Sequence, residues 1–314
     1  MVGLILEYGM DDKNEPLKKD LPDPMTNEIR PRLSEFTYIK RVLLSRGVVI
    51  FGTVIILILV ISAICAPWLA PYNPYDQKLD QTLQQPSREH YLGTDALGRD
   101  TLSRIIYGAR NSLMVGLVAL CIAATAGMTI GLISGYFSSS WISTILMRFV
   151  DSLMCFPMIL MALVLAAFLG GGLRNVMLAL GVAMLPGYAR LMRGQVLSVK
   201  ENDYVLAARS LGASGTRIML RHVLHNCLPP LIVLVTMQIG AAILAEAGLS
   251  FLGVGIEPPA AAWGTMISDG RMYLLTNPIL SSAPGIAIML VVFSFNMLGD
   301  GLRDALDPRL RGTL

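Results

Sequence analysis

The sequence predicts an all-α, polytopic membrane protein with six transmembrane helices. Three observations carry that prediction. Charged residues make up only 15% of the 314-residue chain, whereas soluble domains carry about 25%. The charges that remain are segregated, leaving six windows free of Asp, Glu, Lys and Arg, with apolar centres at Val48–Ala66, Ser112–Gly135, Ser152–Leu173, Asn175–Ala189, Asn226–Ala245 and Ser282–Leu298. A spanning helix needs about 20 mostly apolar residues. Five windows meet this, and the fourth reaches it if Arg174 and Arg190 extend their charged ends toward polar surroundings. Finally, a soluble protein of this size has too little interior to hide six apolar helices.

The elements follow in order. Residues 1–35, with eight acidic residues and four prolines, are expected to be a cytoplasmic, disordered N-terminal tail. Residues 36–66 read as an interfacial amphipathic helix followed by the first span. That span is no cleavable leader, since it starts late and runs into Pro67-Trp68 rather than a small-residue cleavage site. Residues 67–110 form a proline-punctuated external segment leading into span two. Residues 111–300 form a five-helix core containing a cytoplasmic loop at 198–225 and an external loop at 249–280, and residues 301–314 a cytoplasmic C-terminal tail. With both termini inside, 18 Lys and Arg fall on the cytoplasmic side and seven outside, the asymmetry the positive-inside rule demands. Gly127, Gly131 and Gly135 share one face of span two and predict close helix approach. Pro157 and Pro186 predict kinks in spans three and four.

Several function classes drop out. A net charge of +3 without a basic block does not suit a nucleic-acid binder. Cys65, Cys121, Cys155 and Cys227 lack CxxC spacing and sit in apolar runs, so they read as free thiols. There is no GxxxxGK[ST] motif to bind ATP and no HExxH. His222 and His225 share a helix face but lack further ligands. All three histidines, His90 included, lie outside the apolar windows, which argues against an intramembrane hydrolase.

The stretch from Ser198 to Pro230 is the most informative. Ser198 and Glu201 have capping-box spacing. Tyr204, Ala207, Ala208 and Leu211 then recur at helical spacing, Gly212 suits the left-handed residue that ends a helix, and Ser214 can start the next. The result is a helix–glycine–helix knob with a small Ala-Ala face. From the residues alone it is either a docking projection for another protein or an ordinary interfacial loop.

The Ala207-Ala208-x-x-x-Gly212 pattern, with its spacing to Leu224, resembles the EAA loop of ABC importer permeases. Leu92-Gly93-Thr94-Asp95-Ala96-Leu97-Gly98-Arg99-Asp100, Tyr107-Gly108-Ala109-Arg110, Pro186-Gly187-Tyr188-Ala189-Arg190, Leu249-Ser250-Phe251-Leu252-Gly253 and the run from Asn296 to Arg309 resemble the second permease subunit of the dipeptide/oligopeptide/nickel importer family, over roughly residues 37–312. Leu206 stands where that loop has its glutamate, and His225 where it has proline. The resemblance implies a type I ABC importer permease fold in a bacterial inner membrane and a non-catalytic role. Its implied partners are a second homologous permease, two ATPases that carry ATP and Mg, and an extracytoplasmic binding protein. This chain itself would bind no cofactor. It further implies ATPase coupling through Asp203, Tyr204, Leu206, Ala207, Ala208, Gly212, Ala213, Ser214 and Arg217. Peptides are the implied cargo, with nickel or another small chelate as the alternative on the same scaffold.

For the translocation path the expected residues are Met154 together with Gln238, Glu246 and Asn296, the last three because polar groups within spans usually mark a pathway. Glu246 either meets a peptide's amino terminus at the outer mouth or bonds to a neighbouring helix. Arg148 and Asp151 read as a local ion pair or an ATPase-side anchor. A secondary transporter driven by an ion gradient is the rival reading. It calls for midplane carboxylates and inverted repeats, whereas Asp151 and Glu246 lie near span ends and no internal repeat is visible.

Overall fold

The computed structural model describes residues 46–306, so the expectations for the 1–35 tail, for 36–45 and for 307–314 lie outside the described residues. Among the described residues all regular structure is helical apart from one isolated bridge, Thr94 to Asp100. Five helices are long and apolar enough to cross a membrane, and a sixth window is a broken pair.

Helix α1 (Gly47–Ile64) is apolar on every side, as a lipid-bathed span must be. Pro67 does more than stop it. It lies in the first turn of a short helix α2 (Ala66–Leu69), where its missing amide would have had no partner anyway. Helix α3 (Thr101–Tyr136) runs 36 residues, or about 54 Å at the α-helical rise. It therefore begins three turns before the apolar window. Its N-cap is Asp100, whose Oδ2 accepts hydrogen bonds from the Ser103 amide and hydroxyl at 2.8 and 2.7 Å, relieving the unpaired amides of the first turn.

The third window is not one helix. Helix α4 (Trp141–Met154) and helix α5 (Met158–Leu169) are bent by 91° across Cys155-Phe156-Pro157. Pro157 lacks an amide and pushes Phe156 out of helical geometry, so the window Ser152–Leu173 straddles a break rather than a kink. Helix α6 (Leu173–Val199), by contrast, passes through its buried Pro186 without interruption. It packs most extensively on α3, along the predicted glycine face. A Cβ at Gly127 would come within 2.6 Å of the Leu185 carbonyl, and at Gly135 within 2.8 Å of Val196. The absence of side chains is what lets the two backbones meet.

Because α6 continues to Val199, Ser198 lies inside its last turn. Asn202, not Ser198, precedes helix α7 (Asp203–Ser210), without a side-chain cap, so the expected capping box does not form. Helix α8 (Gly215–Arg217) leads through a wide π-type turn, Ile218–Val223, into helix α9 (Leu224–Phe251). Helix α10 (Trp263–Gly270) lies between α9 and helix α11 (Ile279–Leu306). The last helix thus carries on through residues 301–306.

The two long connections, 65–100 and 252–278, sit together at one end of the bundle, the loop end. The Gln85 side chain donates to the Thr276 carbonyl at 2.8 Å, and the Trp263 indole to the Ile105 carbonyl at 3.0 Å. Residues 90–104 form a buried polar knot. His90 Nδ1 lies 2.9 Å from Asp100 Oδ1, and Asp95 Oδ2 lies 2.6 Å from Arg99 Nε and 3.6 Å from Arg104 Nε. Arg99, Asp100 and Arg104 are all buried. Buried charges persist only when paired in this way.

Candidate functional site

The opposite end carries the knob. Helix α7 lies over a cluster formed by Leu132, Met192, Val196, Ile218, Val223 and Leu231, into which Val205 is driven to 0% exposure. The helix ends in a Schellman motif. Gly212 takes φ +80°, its amide donates to the Arg209 carbonyl at 3.0 Å, and the Ala213 amide donates to the Ala208 carbonyl at 3.1 Å. The predicted stop at Gly212 is therefore present, with its carbonyls satisfied as the motif requires. Lys200 Nζ reaches Ser138 Oγ at 2.8 Å, tying the knob's entry to the turn between α3 and α4.

The outer surface of this knob differs from the expected Ala-Ala face. Ala208 and Ala213 pack inward against the cluster. Facing out are Tyr204, Leu206, Ala207 and Leu211, with Leu211 88% exposed. Asp203, Gly212, Ser214 and Arg217 are exposed around them. The projection is thus a short, anchored helix on which Tyr204, Ala207 and Leu211 recur at i, i+3 and i+7 as an apolar row with polar edges. Leu206, the position lacking the family's glutamate, is exposed on another side of the helix, about 200° around from Tyr204.

The four residues expected along the path do not converge. Glu246 is 0% exposed. Its Oε1 accepts from Ser250 Oγ at 2.6 Å and its Oε2 from Ser112 Oγ at 3.4 Å. It ties α9 to α3, the second of the two roles the sequence allowed, and touches no open mouth. Asn296 lines an open apolar groove between α9, α10 and α11, shared with Leu244, Phe251, Ile267 and Met289. Gln238 is half-buried on α9, and Met154 is exposed at the end of α4.

Asp151 does not pair with Arg148. It reaches across to α6, where Arg190 Nη2 lies 2.8 Å from its Oδ1. Sequence reasoning missed this pair because it searched within one helix turn. The available signal was that both charges bound apolar windows. It also missed the polar knot, although the density of Gly, Asp and Arg across 92–104 was visible. Among the described residues no cluster of three metal-ligating side chains forms around His222 and His225 or elsewhere.

A bundle of apolar spanning helices, sealed by an ordered loop layer at one end and bearing an anchored helical projection at the other, defines a membrane permease subunit. The comparisons with known proteins give it a family. Residues 127–312 match the model of the binding-protein-dependent transport system inner membrane component, and residues 35–86 match the N-terminal TM domain of oligopeptide transport permease C. The chain belongs to this family of importer permeases. It is similar to the dipeptide transport system permease protein of Alkalihalophilus pseudofirmus, with 41% identity over 92% of this chain and 94% of the relative. The di/tripeptide transport system permease protein of Pseudomonas aeruginosa is 43% identical over 83% of this chain and 88% of its own. The glutathione transport system permease protein of Escherichia coli is 42% identical over 82% and 85%. The chain is thus a multi-pass permease subunit of an ABC importer.

Proposed function

We propose that this subunit forms half of the translocation path for short peptides, and that it is driven by two cytoplasmic ATPases docking on the 198–225 knob. A second permease completes the path, and an extracytoplasmic binding protein delivers cargo at the loop end. The carrying observation is the exposed row Tyr204, Ala207, Leu211, with Leu206 exposed on its flank, on a helix locked to the bundle by Val205 and the Schellman turn. An apolar row on an anchored helix suits insertion into a protein groove. ATPase closure then acts through the knob on the span helices, and contact energies that differ between the inward-open and outward-open states drive the change. The basic-residue asymmetry supports a cytoplasmic position for this end. ATP and Mg bind the ATPases.

The relatives support peptide as the cargo class, since the names of three of them specify dipeptides, di/tripeptides and glutathione. The test is reconstitution of the four-subunit assembly in vesicles with ATP on the ATPase side and no ion gradient. Uptake of a labelled dipeptide delivered by the binding protein supports the reading. Uptake of nickel but no peptide moves it to the chelate alternative, and uptake that needs an ion gradient rather than ATP overturns it.

A further inference from the structure

The strongest unassigned feature is a polar face inside the bundle. Helix α4 starts at the knob end beside α3, with Ser143 Oγ donating to the Ser134 carbonyl at 2.8 Å, and is about 21 Å long. It then breaks at Met154–Pro157, and all four of those residues are exposed. Irregular backbone at membrane depth is tolerated only where protein buries it or water reaches it. Within this subunit no protein buries it.

A turn before the break, Asp151 pairs with Arg190 of α6 while both side chains stay open, at 46% and 56% exposure. Arg148, one turn further back, is exposed and has no carboxylate within ion-pair distance among the described residues. On α6 a Cβ added at Gly187 or at Gly194, which flank Arg190, would meet nothing within 4 Å. Exposed charges and a naked helix break cannot face hydrocarbon without a large cost. The opposite side of α4 is apolar, with Ile142 and Phe149, both exposed, at least about 140° around the helix from Thr144 and Asp151.

We infer that the face made by α4, its break and the Gly187–Gly194 stretch of α6 is this subunit's wall of the translocation path. On that wall Arg190 and Arg148 receive the C-terminal carboxylate of the passing peptide, and Asp151 its ammonium. The wall follows from the exposed break and charges alone. The assignment of termini rests on the peptide reading above. A zwitterion fits because the wall presents both signs within one helix turn, and each end of the cargo exchanges an intramolecular partner for its own.

The experiment uses the reconstituted four-subunit transporter. For the wall, the four native cysteines are replaced by serine, and Thr144→Cys and Gly187→Cys are compared with Ile142→Cys and Phe149→Cys under a charged, membrane-impermeant thiol reagent. Because thiolate forms only where water reaches, the first pair is expected to react at least about tenfold faster. Equal or reversed rates overturn the wall. For the charges, ATP-driven uptake of a dipeptide is compared with that of its C-terminal amide and its N-acetyl form. Arg190→Gln is expected to compress the acid-to-amide ratio about fivefold, near 1 kcal/mol of lost discrimination. Asp151→Asn is expected to compress the free-amine to N-acetyl ratio instead. The binding protein's own preference is common to variant and wild type and cancels. If all three substrates fall in parallel, the pair is only a structural tie and the charge assignment fails. If the wild type moves no peptide, the proposed function fails, while the labelling result still decides the wall.

Discussion

At Gly98 the backbone takes φ +71°, and a Cβ there would collide with the carbonyl of Lys78. At Gly212 φ is +80° with open space around it. The two glycines meet the same conformational demand under different packing, and this separates their predicted effects. Gly98→Ala pays both strain and a clash, so it should destabilise the polar knot by about 1–3 kcal/mol. A lowered melting temperature of the detergent-purified subunit checks this. Gly212→Val pays strain alone, whereas Gly212→Asn tolerates the left-handed region. Recovery of ATPase with the subunit should therefore fall for the valine and persist for the asparagine. Glu246 gives a third case. It is fully buried between two serines, so Glu246→Gln should leave the preference among peptide termini unchanged. Glu246→Leu should cost about 1–3 kcal/mol by stranding Ser112 and Ser250. A change in terminus preference in the glutamine variant would return Glu246 to the path.

The elements differ in how openly the sequence announced them. Gly127, Gly131 and Gly135 were readable as a contact face because a four-residue spacing of small residues has one geometric consequence, and that contact is the α3–α6 seam. Gly131→Val should therefore drive the helices apart. Overpacking of this kind costs about 1–3 kcal/mol, and reduced yield of folded subunit by size-exclusion chromatography is the readout. The stop at Gly212 was equally legible, since a glycine ending a periodic run suits a single cap geometry. The start of α7 was not. Ser198-x-x-Glu201 has the spacing of a cap, but α6 runs on to Val199 because its last turn packs into the cluster that also holds Val205. Tertiary burial outweighed a local capping preference. The break at Pro157 was misread for a related reason. Composition reports that residues 152–173 are apolar, but not that the chain turns by 91° within them. The inward turn of Ala208 likewise depended on what lay beneath the knob, which the knob's own residues do not encode.

For the whole molecule the two ends are chemically unlike, and the proposed function sets them on opposite sides of the membrane. The loop end is a layer of buried ion pairs and cross-loop hydrogen bonds, from which Leu275 protrudes at 101% exposure. The knob end is an anchored apolar projection crowned by Leu211. Binding-protein delivery and ATPase drive need opposite faces, so the fold serves its proposed role only if these ends lie on opposite sides in the order the basic residues indicate. In a background where the four native cysteines are replaced by serine, Leu275→Cys in intact cells should react with an impermeant thiol reagent added outside, while Leu211→Cys should react only after the membrane is opened. Both sites stand clear of the packed core, so neither substitution should disturb folding. Labelling of Leu211→Cys from outside would invert the chain. The knob would then sit where no nucleotide is available, and the coupling role argued for Tyr204, Leu206 and Leu211 would fall with it.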